Sequence, residues 1–204
     1  GGVAIYKVSD IFETVYYSDG VPELSGYDRT EYEQLIQQDA AKLIYHKDAP
    51  MVVNRIRQAL ADGTAASFDF RKQHRDGHIV WVNVYAKKIG EAEGYPLLQC
   101  VFHNISAFKQ SQEELEHAYT MADYVTKRGG KAKIDKIDVV PQGWGSPLEV
   151  FQHVYEHECK VSKMIDNLVS IASAEKDNAT QDFLWGFVPN KLKKKQQHKE
   201  LSTN

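Results

Sequence analysis

Apolar residues recur along this chain with two different periods, and the change falls near residue 105. Before it the dominant period is two. Val3 to Val8 and Phe12 to Tyr17 are rich in Val, Ile and aromatic residues and predict two strands. Thr30-x-x-Glu33 predicts a capping box opening a short helix that carries Tyr32, Leu35 and Ile36. Asp48 predicts the cap of a longer helix, with Pro50 in its first turn, through Val52, Val53, Ile56, Ala59 and Leu60 to a stop at Gly63. Phe68 and Phe70 then alternate with polar residues, and Asp76-Gly77 is a tight hairpin signal. Val80, Val82, Val84 and Ala86 lie on one face of a long strand, and a last strand covers Leu97 to His103. The order is two strands, small helices and three antiparallel strands.

From Phe108 the period becomes helical. Leu115, Ala118, Tyr119, Ala122 and Val125 recur at three and four until Gly129-Gly130. After a long connection, Ser146-Pro147-Leu148-Glu149 predicts a capping box with proline in the first turn of a second helix. Its buried stripe is Phe151, Val154, Glu158, Val161, Ile165, Leu168 and Ala172. Glu158 is out of place in that stripe, because a buried carboxylate needs a partner, a proton or a metal. Glu114 and His117, spaced i, i+3, point the same way from the preceding helix. A Glu-x-x-His pair with further inward glutamates is a ligand pattern of metal-binding helical bundles. A third helix starts with Phe183, Leu184, Phe187 and Val188, meets Pro189 and gives way to Lys191, Lys193, Lys194 and Lys195.

The chain has 204 residues, of which 42% are hydrophobic, and a formal charge of −3, enough for one large domain or two small ones. Neither charge nor hydropathy points to nucleic acid or membrane as a partner. Cys100 and Cys159 lie in unrelated patterns and read as reduced thiols of a cytosolic protein. His46, His74, His78 and His103 are isolated along the first half, and each reads as a surface or core residue rather than a haem ligand. His153 and His157 sit beside the apolar stripe and read as surface histidines rather than a zinc pair.

The element order, with "YYSDGVPELSGYDRTEYEQL", "FRKQHRDGHIVWVNV" and "VFHNISAFKQSQEEL", resembles the PAS family from residue 3 to about 116, in particular the PAS domains of bacterial sensors coupled to cyclic-di-GMP signalling. The resemblance implies a sensory or dimerising module and leaves its ligand unknown. "KQSQEELEHAYTMADYVTKRGGKAKI" and "GWGSPLEVFQHVYEHECKVSKMIDNLVSIASAEKDNATQDFLWGFV" resemble bacterial non-haem ferritin, a four-helix subunit that assembles into a shell and oxidises Fe(II). That resemblance implies iron as the metal. Glu114 and His117 match iron ligands of the second ferritin helix, Glu158 one of the third, and Glu113 an accessory acid. The first ferritin helix and the acids of the fourth are not matched. The tail gives a reason for the latter: Pro189 to Asn204, back-translated and read from the third base, yields Glu-Gln-Val-Glu-Glu-Glu-Ala-Thr-Ala-Gln-Gly-Ile-Val-Asp. The tail is therefore expected to be an out-of-frame reading of a ferritin gene.

The expected fold is an α+β PAS-like antiparallel sheet with small helices over residues 1–108. An all-α partial ferritin-like helical hairpin follows over 109–188, and then a basic tail over 189–204. Three functions stay open: a PAS sensory or dimerisation module joined to an incomplete iron-binding region without efficient ferroxidase activity, an iron store working in an oligomer, and a truncated signalling input. Homo-oligomers through the PAS unit or exposed helical faces are expected, in the cytoplasm.

Overall fold

The structure, a computed structural model, describes residues 1–37, 39–133 and 147–188. The chain divides into two compact units, residues 1–133 and 134–204. The expected capping box at Ser146 and the whole basic tail lie outside the described residues.

The first unit is built on five antiparallel strands: β1 (Gly2–Val8), β2 (Phe12–Tyr17), β3 (Ala66–Gln73), β4 (Ile79–Ala92) and β5 (Tyr95–Asn104). They lie in the order β2-β1-β5-β4-β3. Between β2 and β3 come the short helices α1 (Gly20–Glu23) and α2 (Arg29–Ile36), a 3-10 turn Ala40–Leu43, and α3 (Ala49–Asp62). The period-two reading holds because alternate residues share one sheet face. Ala4, Tyr6, Phe68, Phe70, Val80, Val82, Val84, Ala86, Leu98, Cys100 and Phe102 are all buried, with Val52 and Ile56 of α3 packed in the same core. α3 stops at Gly63, whose φ of 66° provides the left-handed cap that favours glycine.

Two caps differ from expectation. The box that opens α2 is Asp28 with Glu31, not Thr30 with Glu33: the Asp28 carboxylate accepts from the Glu31 amide at 2.8 Å, and the Glu31 carboxylate accepts from the Asp28 amide at 3.2 Å. Asp48 precedes α3 but makes no side-chain cap bond. Its carboxylate is taken by β3, accepting from the Arg71 amide at 2.8 Å and from the Arg71 guanidinium at 2.9 and 2.5 Å. That pairing holds the Asp48 carboxyl below its ordinary range, the Arg71 side-chain bonds outweighing burial. Asp48→Ala is therefore expected to cost about 2 kcal/mol, since it strands a half-buried guanidinium and an amide. A folded-state pKa below the unfolded value contributes stability above about pH 4 that is lost as pH falls. The wild-type advantage in urea melts should thus shrink below pH 4.

α4 (Ser106–Lys127) leaves the sheet directly from β5. Its first turn is clasped to β4, where the Ser106 hydroxyl accepts from the Trp81 amide at 3.0 Å and the Trp81 carbonyl accepts from the Ile105 amide at 2.9 Å, and to the end of β5, where the Asn104 side chain accepts from the Ser106 amide at 2.9 Å. Lys109 pairs with Asp69 of β3 at 2.9 Å and lies over the Trp81 ring. The helix ends as expected, with the Gly130 amide returning to the Val125 carbonyl at 2.9 Å and Gly129 at φ 81°. Its apolar stripe differs from expectation: no residue of α4 is buried, and Leu115 and Tyr119 are exposed.

In the second unit α5 (Pro147–Ala174) turns into α6 (Asn178–Trp185). Asp177 caps α6, accepting from the Thr180 amide at 3.1 Å. Ile165, Ala172, Leu184 and Phe187 are buried, whereas Leu168, read as part of the stripe, is exposed. Leu168 is one turn from Ile165 and one from Ala172, so the buried strip is narrower than the pattern implied. Among the described residues no helix is long and apolar enough to cross a membrane.

Candidate functional site

The inner face of the sheet and α3 enclose a cavity of about 50 Å³, lined by Tyr6, Phe12, Tyr32, Phe70, Cys100 and Phe102 among others. One lining residue breaks the pattern. Lys72 stands in phase with Phe68 and Phe70 on β3, opposite Val80, and is only 5% exposed. Among the described residues the cavity lining contains no acid, and the Phe102 ring lies 5.8 Å from the Lys72 ammonium. Burial alone pulls the Lys72 pKa down to about 8. Burial likewise pushes the Cys100 thiol up to about 12, so it stays protonated and unreactive. The sequence pattern does not single out Lys72, because charge ordinarily marks the outer face of a strand; its phase with two phenylalanines is the available signal.

The helical ligand candidates are on two elements. On α4, Glu114 Oε2 lies 3.8 Å from His117 Nδ1, and both side chains are partly exposed. A carboxylate and an imidazole this close on one helix face suit a shared divalent cation. Glu113, one residue earlier, is exposed. Glu158 is on α5 and only 5% exposed, in keeping with its apolar register. α4 falls in the first compact unit and α5 in the second. His153 and His157 are exposed on α5. His74 and His78, read as isolated, are not: both approach Asp76, and their rings stack.

Comparison with known proteins bears on both units. A model of the PAS fold matches residues 14–102, and a model of the ferritin-like domain matches residues 104–204. This chain carries a PAS fold followed by a ferritin-like domain. A bacterial non-heme ferritin of Bacteroides fragilis is 76% identical over 80 residues, 39% of this chain and 50% of that protein. A solved open-pore ferritin of Archaeoglobus fulgidus is 42% identical, covering 46% of this chain and 58% of its own, with a TM-score of 0.44. A solved light-oxygen-voltage domain is 20% identical over 55% of this chain and 87% of its own, with a TM-score of 0.42. The chain spans about half the length of the curated ferritins it matches. The boundary between the two matches falls just before Ser106, so α4 belongs wholly to the ferritin-like match while its first turn is fastened to the PAS sheet.

Proposed function

We propose that this chain is a sensor in which a PAS unit binds a small carboxylate and communicates through α4 with an iron-binding ferritin-like segment. The supporting observation is that one helix serves both. α4 is held to the sheet by Ser106, Asn104 and Lys109 and bears Glu114 and His117. Eight residues separate Ser106 from Glu114, about 12 Å along the helix. The PAS ligand is read from Lys72, a buried cation with no acid among the described residues that line its cavity. At 10–15 Å³ per water, the cavity takes about four waters or a molecule of about five heavy atoms. Propionate fits in size, and its carboxylate supplies the missing countercharge. The PAS unit in this reading is of the type found in cyclic-di-GMP-linked sensors.

The iron ligands are Glu114 and His117 of α4, Glu158 of α5 and the accessory Glu113. Residues 1–108 form the sensory part. Residues 109–188 correspond to the second and third ferritin helices and the start of the fourth, and 189–204 are the out-of-frame tail. Cooperative oxidation needs two metals about 3.5–4 Å apart, clamped by bridging groups. A single Glu-x-x-His pair holds iron weakly and oxidises it slowly. The protein in this reading is cytoplasmic and self-associates through the PAS unit or exposed helical faces, such as that of Leu115 and Tyr119. The 76% identity to a ferritin favours a second reading, an iron store that completes its sites in an oligomer.

Anaerobic Fe(II) titration followed by air and size-exclusion chromatography separates these. The sensor reading expects weak binding lost in Glu114→Gln/His117→Gln, slow oxidation and small oligomers. Rapid oxidation in a shell-sized particle refutes it in favour of the store. Calorimetry with propionate tests the cavity: binding by the wild type and none by Lys72→Met is expected, and equal binding by both excludes Lys72 as the receptor.

A further inference from the structure

The β3–β4 hairpin brings three ligating side chains to one point outside both the cavity and the α4 pair. His74, Asp76 and His78 each offer one donor atom, and the three lie within 4.8 Å of one another. Asp76 Oδ1 is 2.9 Å from His74 Nδ1 and 2.5 Å from His78 Nδ1. The backbone sets this arrangement. The His74 amide donates to the His78 carbonyl at 2.9 Å, and the Gly77 amide to the His74 carbonyl at 2.9 Å, so the turn is closed. Gly77 supplies the positive φ, 93°, that the turn requires. The His78 amide donates to Asp76 Oδ1 at 3.1 Å, which aims the carboxylate inward.

The two imidazoles are fixed as well. Their rings stack with centroids 4.1 Å apart and 26° between planes. His74 lies against Gly26, where a β-carbon would overlap its Nε2. Its Nε2 edge is therefore occupied by the protein, and the nitrogen turned to the Asp76 carboxylate is Nδ1, which also accepts a long hydrogen bond from the Asp76 amide at 3.5 Å. The hairpin is tied to the same region by the Arg75 amide, which donates to the Ser25 carbonyl at 2.9 Å. The one cation within the loop, Arg75, is engaged by Glu31 at 2.9 Å.

We propose that His74, Asp76 and His78 form a binding site for a divalent transition metal of the Zn²⁺ type. Two imidazole nitrogens and one carboxylate oxygen suit zinc, with a fourth position left to water. Bond lengths of about 2.0–2.1 Å in a tetrahedron place donor atoms about 3.3 Å apart. The present spacings of 2.9 and 2.5 Å need to open by less than about 1 Å, a side-chain adjustment of Asp76 at a half-exposed turn. The metal takes the place of the direct contacts between Asp76 and the two imidazoles and pins the hairpin to the turn at Gly26. The site thus gives the PAS unit a metal input separate from the iron ligands.

The test uses the full chain carrying Glu114→Gln, His117→Gln and Glu158→Gln, so that the iron ligands do not compete. Titration with ZnCl2 against a chromophoric chelator is expected to show one zinc per chain. Adding Asp76→Asn and His78→Gln is expected to weaken that binding by on the order of 100-fold or more, beyond the 10–100-fold typical of losing an outer partner. Undiminished zinc affinity after those substitutions overturns the proposal. A measurement on the unaltered chain guards against misfolding: diethyl pyrocarbonate modification, mapped by mass spectrometry. Zinc is expected to protect His74 and His78 specifically; equal modification of both with and without zinc overturns the site.

Discussion

Lys72→Met stabilises the PAS unit at pH 7 by about 3 kcal/mol. The value follows from a pKa held near 8 in the folded chain against 10.5 for the free side chain, at about 1.4 kcal/mol per unit. The direction follows from proton counting. Between pH 8 and 10.5 the unfolded chain binds a proton that the folded chain does not, so stability rises with pH across that window. Below pH 8 the full penalty of burying the cation is present, and above 10.5 it is gone. The advantage of methionine, which fills a similar volume without charge, is therefore constant below pH 7 and vanishes toward pH 10.5. Urea melts followed by near-ultraviolet circular dichroism at several pH values measure it. A gain that does not change with pH would mean that Lys72 is not held in the apolar cavity. A bound carboxylate would offset this burial penalty, which is the physical reason for reading Lys72 as its receptor.

Phe70→Ala destabilises the same unit by about 3–5 kcal/mol, the cost of a large cavity in a packed core. Phe70 is 3% exposed and stands between Phe68 and Phe102, with ring centroids 6.3 and 6.4 Å away. The substitution joins new space to an existing apolar cavity, so saturating benzene is expected to restore part of the loss, visible as an upward shift of the melting temperature. The wild type, with its smaller cavity, is expected to show little shift. A loss below 1 kcal/mol would mean that the core is packed differently from the arrangement described.

Much of the sheet was legible because period two leaves little choice: Phe68, Phe70 and the run from Val80 to Ala86 fit only one face. Lys72 obeyed the same period, but its chemistry hid it. The cap of α2 was ambiguous by two residues, since Asp28-x-x-Glu31 and Thr30-x-x-Glu33 overlap in sequence. The extended backbone at Asp28, φ −72° and ψ 170°, selects the first, and no local rule ranked them. That Glu114 and His117 share one face of α4 was legible from helical spacing. His74 and His78 were not, because their approach depends on a closed hairpin folding one residue back beside the other. The exposure of Leu115, Tyr119 and Leu168 escaped the pattern for another reason: periodicity tells which residues share a face, not whether anything covers it.

The clasp at the base of α4 makes that helix a spindle. Its first turn is bonded to β4 through Trp81 and Ser106 and to β3 through Asp69 and Lys109, so the sheet sets the angle at which the helix presents its faces. Side-chain tips travel on a circle of about 5–6 Å radius. A turn of only about 20° sweeps a tip through about 2 Å, as long as a metal–ligand bond. In the proposed sensor, a shift of that size at Glu114 and His117 would be enough to make or break their hold on a cation, without unwinding a single helical turn.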